Sequence, residues 1–183
     1  MVLLIVDNYK NLYPSLTGKS LTDRVVIELL KHYYPDIESS GIQIKRTENG
    51  KPYIVWGEGK AAPHISVSHC DGIFACAIDD DNVGIDIQNE RDVAAEKIKS
   101  RYFTDAEQAE DFYKVWTRKE AYSKFTGRGL AQIIDGEEVL ERQDVTFDDF
   151  VILENIHVSV CRPSSKGSED NYEVQFFDRK QDR

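Results

Sequence analysis

Between positions 64 and 87 three short apolar runs, HISVSH, IFACAI and VGIDI, are separated by an Asp-Gly pair and by the acidic run at 79–81. Apolar runs of this length between turn residues read as strands, so this stretch predicts strands at 64–69, 73–78 and 83–87 joined by tight turns. The opening MVLLIVDNYK adds a strand at 2–6, and LTDRVVIELLKHYY repeats apolar residues at helical spacing over 21–34, ending before Pro35. Asn49-Gly50 marks a hairpin turn, because both residues tolerate a positive φ. A helix is predicted over 105–125: Thr104 caps it, Glu107 completes a capping box, Gly127 stops it, and Ala109, Phe112, Val115 and Trp116 form its inward stripe. DDFVILENIHVSVCR and NYEVQFFD then read as two strands around the polar loop PSSKGSEDN, before a charged tail at 178–183. Strands and helices mix without regular β-α-β alternation, and no internal repeat is visible, so the expected class is α+β in one body.

A length of 183 residues favours one domain or two small halves. With 40% apolar and 31% charged residues the chain has the balance of a folded protein. Its formal net charge of −10 argues against nucleic acid and anionic membrane as partners, and any bound anion must meet a local basic patch. Cys70, Cys76 and Cys161 are odd in number and lack paired short spacing, so they read as reduced thiols. The apolar run before Asp7 is too short for a signal-peptide core or a membrane span, and the expected location is cytoplasmic.

Asp86 sits in a strand whose apolar positions are Val83, Ile85 and Ile87, so its carboxylate faces the opposite side from them. Alone, it is equally a solvent-facing acid on an edge strand. Glu120, in WTRKEAYSK, changes that balance: together the two acids supply oxygen ligands for a magnesium ion, which typically takes one or two carboxylates and keeps water and phosphate for the rest. The bland alternative for Glu120 is a surface pair with Lys124, one helical turn on. Trp116, Lys119, Glu120 and Lys124 share one helix, so metal ligand, phosphate-binding cation and packing anchor can be held in fixed relation. His69 ends its strand where an imidazole can meet a phosphate oxygen. Ser68 and His69 point to opposite faces, which argues against a hydrolase pair, and Gly18-Lys19-Ser20 lacks the first glycine of a phosphate loop.

The ordered set GKPY at 50–53, HISVSH at 64–69, VGIDI at 83–87 and WTRKEAYSKFTGRGL at 116–130 resembles the signature blocks of the 4'-phosphopantetheinyl transferases, in the pseudo-dimeric class that activates peptide and polyketide synthetases. That resemblance implies two similar α+β halves, approximately 1–82 and 83–183, with coenzyme A and magnesium in the cleft between them. It implies that Asp86 and Glu120 bind the metal, that Lys124 and His69 hold coenzyme A phosphates, that Gly50, Lys51 and Pro52 form the loop at the adenosine end, and that Ser68 lines the nucleotide. Lys45, Arg46, Arg24 and Lys31 are candidates for the 3'-phosphate. Many relatives carry an acid two residues after the first metal ligand, where this chain has Gln88; an amide can ligate magnesium or orient its water but cannot act as a base. Glu120, or a water it orients, is then the expected base. An acyl or peptidyl carrier protein is the expected partner, with Arg118, Lys119, Lys124 and Arg128 as a positive rim for it, and a pseudo-dimer is expected to act as a monomer. The rival readings are a magnesium-dependent phosphohydrolase and a non-catalytic module that binds coenzyme A or a carrier.

Overall fold

In the computed structural model, which describes residues 1–36, 41–57, 61–91, 94–165 and 173–177, strand β1 (Val2–Val6) is buried along its whole length. Its alternate residues serve different layers, as a strand with period two must when both faces are covered. Val2, Leu4 and Val6 join Leu21, Val25, Leu29 and Leu30 of helix α1 (Gly18–Tyr33). Leu3 and Ile5 join Ile85 and Ile87 of β6 (Gly84–Asn89) with Val158 and Val160 of β8 (Ile156–Pro163). A third cluster lies under helix α4 (Phe112–Thr126), where Val115, Ala121 and Tyr122 meet Cys161 of β8. The layers therefore run helix, sheet, sheet, helix, and the class is α+β.

Among the described residues the first layered sheet has the order β4-β5-β1-β9, with β4 at His64–Cys70, β5 at Ile73–Asp79 and β9 at Glu173–Phe177. Its neighbours pair antiparallel except β9, which lies parallel to β1. The second has the order β6-β8-β7, with β7 at Val145–Ile152, and a separate hairpin pairs β2 (Gln43–Arg46) with β3 (Pro52–Val55). The edges β4 and β6 meet without a ladder. Instead the Ile85 N–H donates to Ser66 Oγ at 3.0 Å and the Ile87 N–H to Ser68 Oγ at 3.3 Å, so serine hydroxyls replace backbone acceptors along the seam.

Three sequence expectations change. The helix expected over 105–125 is two: α3 (Asp105–Gln108) carries the Thr104/Glu107 capping box, and α4 starts afresh because the Asp111 carboxylate accepts from the Lys114 N–H at 2.9 Å. Ala109 is consequently exposed and joins no inward stripe, and Trp116 is only half-buried. The Gly127 stop does form, at φ 71°. Next, DDFVILENIHVSVCR is a hairpin of β7 and β8, turning at Leu153 and Glu154 with φ of 48° and 68°, a geometry that neither residue type advertises. Finally, the turn after β2 takes three residues between Thr47 and Lys51, and of the Asn49-Gly50 pair Gly50 alone adopts a positive φ, at 87°. Helices α2 (Ala95–Tyr102) and α5 (Leu130–Ile134) complete the α-helices of the described residues. Most of the polar loop after Pro163, and the tail at 178–183, lie outside the described residues. Among the described residues no helix is long and apolar enough to cross a membrane.

Candidate active site

Gly84, Asp86 and Gln88 alternate with Ile85 and Ile87 along β6 and so share the face turned to α4. The helix lies directly on that face: a Cβ at Gly84 would fall 2.0 Å from the Ala121 carbonyl oxygen and 2.6 Å from the Phe125 nitrogen. This close approach brings the middle of α4 against Asp86. Asp86 is 6% exposed, and its Oδ1 accepts from Lys124 Nζ at 2.7 Å and from Ser68 Oγ at 2.8 Å. Glu120 is the second acid here: burial first, and the neighbouring Asp86 charge second, push its carboxyl above the ordinary range, with Lys124 opposing them. Two carboxylates and one ammonium thus share a small, poorly solvated space, leaving a net negative charge.

His69, next to last in β4, lies beside this group, its ring 5.8 Å from that of Tyr9. Burial and then the Lys124 charge push its imidazole down, with Lys10 adding to the effect, so at neutral pH the ring is a neutral hydrogen-bonding group. Asn49, Gly50, Lys51 and Pro52 wall a cavity of about 220 Å³ whose other side is Ser66, Val67, Ser123, Lys124, Gly127 and Gly129. The structure therefore gathers Asp86, Glu120, Lys124, Ser68 and His69 around one end of the β4–β6 seam, and sets residues 50–52 across a cavity from Lys124. Gln88, half-buried, donates from Nε2 to the Asn89 carbonyl at 3.3 Å on the same face as Asp86.

Other candidates are engaged elsewhere. Lys119 is fully buried, 2.8 Å from Glu107 and 2.6 Å from the Glu137 carbonyl, so it is neither a phosphate cation nor part of a rim. Arg118 pairs with Asp149 at 2.5 Å. Arg46 forms a two-toothed pair with Asp23, and Arg24 lies 3.7 Å from Glu28. Lys45 is exposed and Lys31 half-buried. Sequence reasoning missed Tyr9 and Lys10, which lie far from His69 in sequence, and Asn82, whose role depends on a helix end that no local pattern reveals.

The donor set fits a hard divalent cation. Asp86 and Glu120 offer carboxylate oxygens and Gln88 an amide oxygen, and the Glu120 carboxyl is raised by burial first and by the Asp86 charge second, with Lys124 opposing. Among the described residues no group of three or more His, Cys, Asp and Glu side chains converges.

Two acids, one on a strand and one on the helix packed against it, thus lie beside a cavity. The profile of the 4'-phosphopantetheinyl transferase superfamily matches residues 82–176, and the chain belongs to that superfamily. It is 31% identical over 134 residues to the 4'-phosphopantetheinyl transferase gsp of Aneurinibacillus migulanus, covering 67% of this chain and 52% of that one. It is 30% identical over 135 residues to Sfp of Bacillus subtilis (68% and 58% covered), and 23% identical over 141 residues to HetI of Nostoc (70% and 60% covered). The chain thus matches little more than half the length of these relatives.

Proposed function

We propose that this chain transfers 4'-phosphopantetheine from coenzyme A to a serine of an acyl or peptidyl carrier protein, releasing adenosine 3',5'-bisphosphate. The observation that carries this reading is the acid pair Asp86 and Glu120 with Lys124, which bonds Asp86 and lines the cavity walled by Gly50, Lys51 and Pro52. The carrier serine oxygen attacks the phosphorus that bears the pantetheine arm; a new P–O bond forms and the pyrophosphate bond breaks. Glu120, whose carboxyl is raised toward neutrality, or a water it orients, accepts the serine proton. Lys124, on a flexible four-carbon stem, neutralises the bisphosphate leaving group. Asp86 and Glu120 would hold magnesium, with Gln88 ligating it or orienting its water, and the ion when bound supplies charge stabilisation on the pyrophosphate. Ser68 keeps Asp86 aimed, as its 2.8 Å hydrogen bond supports, while His69 and residues 50–52 hold the nucleotide.

The reaction takes place between two halves, approximately 1–82 and 83–183. Each contributes a sheet and a long helix, which supports the division, and β9 from the second completes the sheet of the first. The chain acts as a cytoplasmic monomer in this reading. Intact-mass spectrometry of an unmodified carrier incubated with the protein, coenzyme A and magnesium, with and without chelator, tests it. A chelator-sensitive gain of one phosphopantetheine is expected. No gain across several carriers would reject the transferase, and release of inorganic phosphate from simple esters would point to a hydrolase.

A further inference from the structure

Lys51 lies in the loop that walls the cleft, yet its ammonium is occupied inside the protein. Its Nζ is 2.8 Å from the Phe125 carbonyl oxygen, 2.5 Å from Asn82 Oδ1 and 3.4 Å from the Val83 carbonyl oxygen. An ammonium has three N–H donors, so each has an acceptor and none is left for a phosphate. Phe125 is in the last turn of α4, where carbonyls lack intrahelical partners and the helix dipole favours a cation. Asn82 Nδ2 donates to the same carbonyl at 2.8 Å, so Lys51 and Asn82 cap the helix together. Three pieces of chain meet at this point: the β2–β3 loop, the residues just before β6, and the end of the helix that carries Glu120 and Lys124.

The Lys51 side chain is also a partition. Lys51 and Pro52 line both the 220 Å³ cavity and a second one of about 410 Å³, whose walls include Tyr53, His64, Asn82 and Phe125. Burial pushes the Lys51 ammonium down to about 8, and the charged form persists at neutral pH.

We propose that Lys51 is a positioning residue: its bonds to Phe125 and Asn82 fix the 50–52 wall against the end of α4, and through that wall set the affinity for the nucleotide end of coenzyme A. This rests on the transferase reading. The side chain itself touches neither the phosphates nor the reacting atoms.

The test compares Lys51→Met, which keeps the length of the stem and loses the donors, and Asn82→Ala, which removes an acceptor of Lys51 and the Asn82 donor to Phe125 without altering the sequence of the loop. Steady-state transfer should show the KM for coenzyme A rising about tenfold in both, the loss of preorganisation that a loosened wall produces, with kcat and the carrier KM within about twofold of the parent. A fall in kcat at unchanged KM, or no effect on KM, would overturn the proposal. Backbone amide exchange at Thr47, Gly50 and Lys51 supplies a readout that needs no activity. These amides are held by bonds within the loop, and should exchange faster in both variants if the tie fixes it. Unchanged exchange would refute the tie even if the chain proved not to be a transferase, and faster exchange in a chain inert toward coenzyme A would instead count against the functional reading alone.

Discussion

Glu120 is the residue at which chemistry and stability pull in opposite directions. Its carboxyl is raised by burial and by Asp86, so the folded state holds that proton more tightly than the unfolded chain, whose value is near 4.5. The stabilising contribution of the protonated form is complete below that value and disappears as pH rises through the folded one. At neutral pH the ionised side chain therefore strains the fold. Glu120→Gln removes the charge at nearly constant shape, and should melt above the parent at pH 7.5 in chelator, with the gap closing as the pH falls below 4.5. The same variant should lose about 10²- to 10⁴-fold in transfer, the usual contribution of a positioned base. Equal melting temperatures at pH 7.5, or retained transfer at saturating magnesium, would contradict the assignment.

The elements are held in place by two contacts at α4. Gly84→Ala would drive a methyl into the helix backbone, with no flexible atom to yield, and should cost about 1–3 kcal/mol in denaturant unfolding while moving Glu120 and Lys124 away from Asp86. A full-strength, normally stable alanine variant would show that the close approach is dispensable. On the other side of α4, Lys119 and Glu107 form a fully buried pair whose remaining bonds go to the Glu137 carbonyl, the Val139 N–H and the Thr104 N–H. Lys119→Met alone leaves Glu107 charged in the core and should cost about 3–5 kcal/mol, most of it recovered in the double variant with Glu107→Gln. A double variant as unstable as the single would place the loss in packing rather than charge.

These contacts also separate what was legible in the sequence from what was not. The central strands, the first helix, the Thr104/Glu107 box and the Gly127 stop each depend on residues within one or two turns of chain, and those were readable. The break before Asp111 and the Leu153–Glu154 turn depend on a cap competing with helix continuation, and on left-handed residues that carry no glycine signature. For the candidate site, the ordered blocks named Asp86, Glu120, Lys124, Ser68 and His69, and the fold places these around one seam. Which cations are available could not be read, because Lys119 and Arg118 meet their partners, Glu107 and Asp149, only after the chain has folded.

That last point governs how the whole molecule meets a partner. With Lys119 buried and Arg118 paired to Asp149, the basic rim read from the sequence shrinks toward Lys124 and Arg128, and Arg128 lies 3.2 Å from Glu137. Against this stands a net charge of −10, which repels an acidic carrier at long range. At about 0.01 M salt the screening length is about 30 Å and the whole charge is felt, whereas at about 0.15 M it is about 8 Å and only local groups count. If repulsion between the two bodies dominates, the KM for an acidic carrier should fall as salt rises over that range, while the KM for coenzyme A, which the proposed function seats beside Lys124 and His69, should rise. Arg128→Glu should then raise the carrier KM more than that of coenzyme A, and by a larger factor at low salt than at high. A carrier KM that climbs with salt would mean that a local basic patch, rather than the overall charge, steers the encounter, and would return Arg118 to the rim despite its pairing with Asp149.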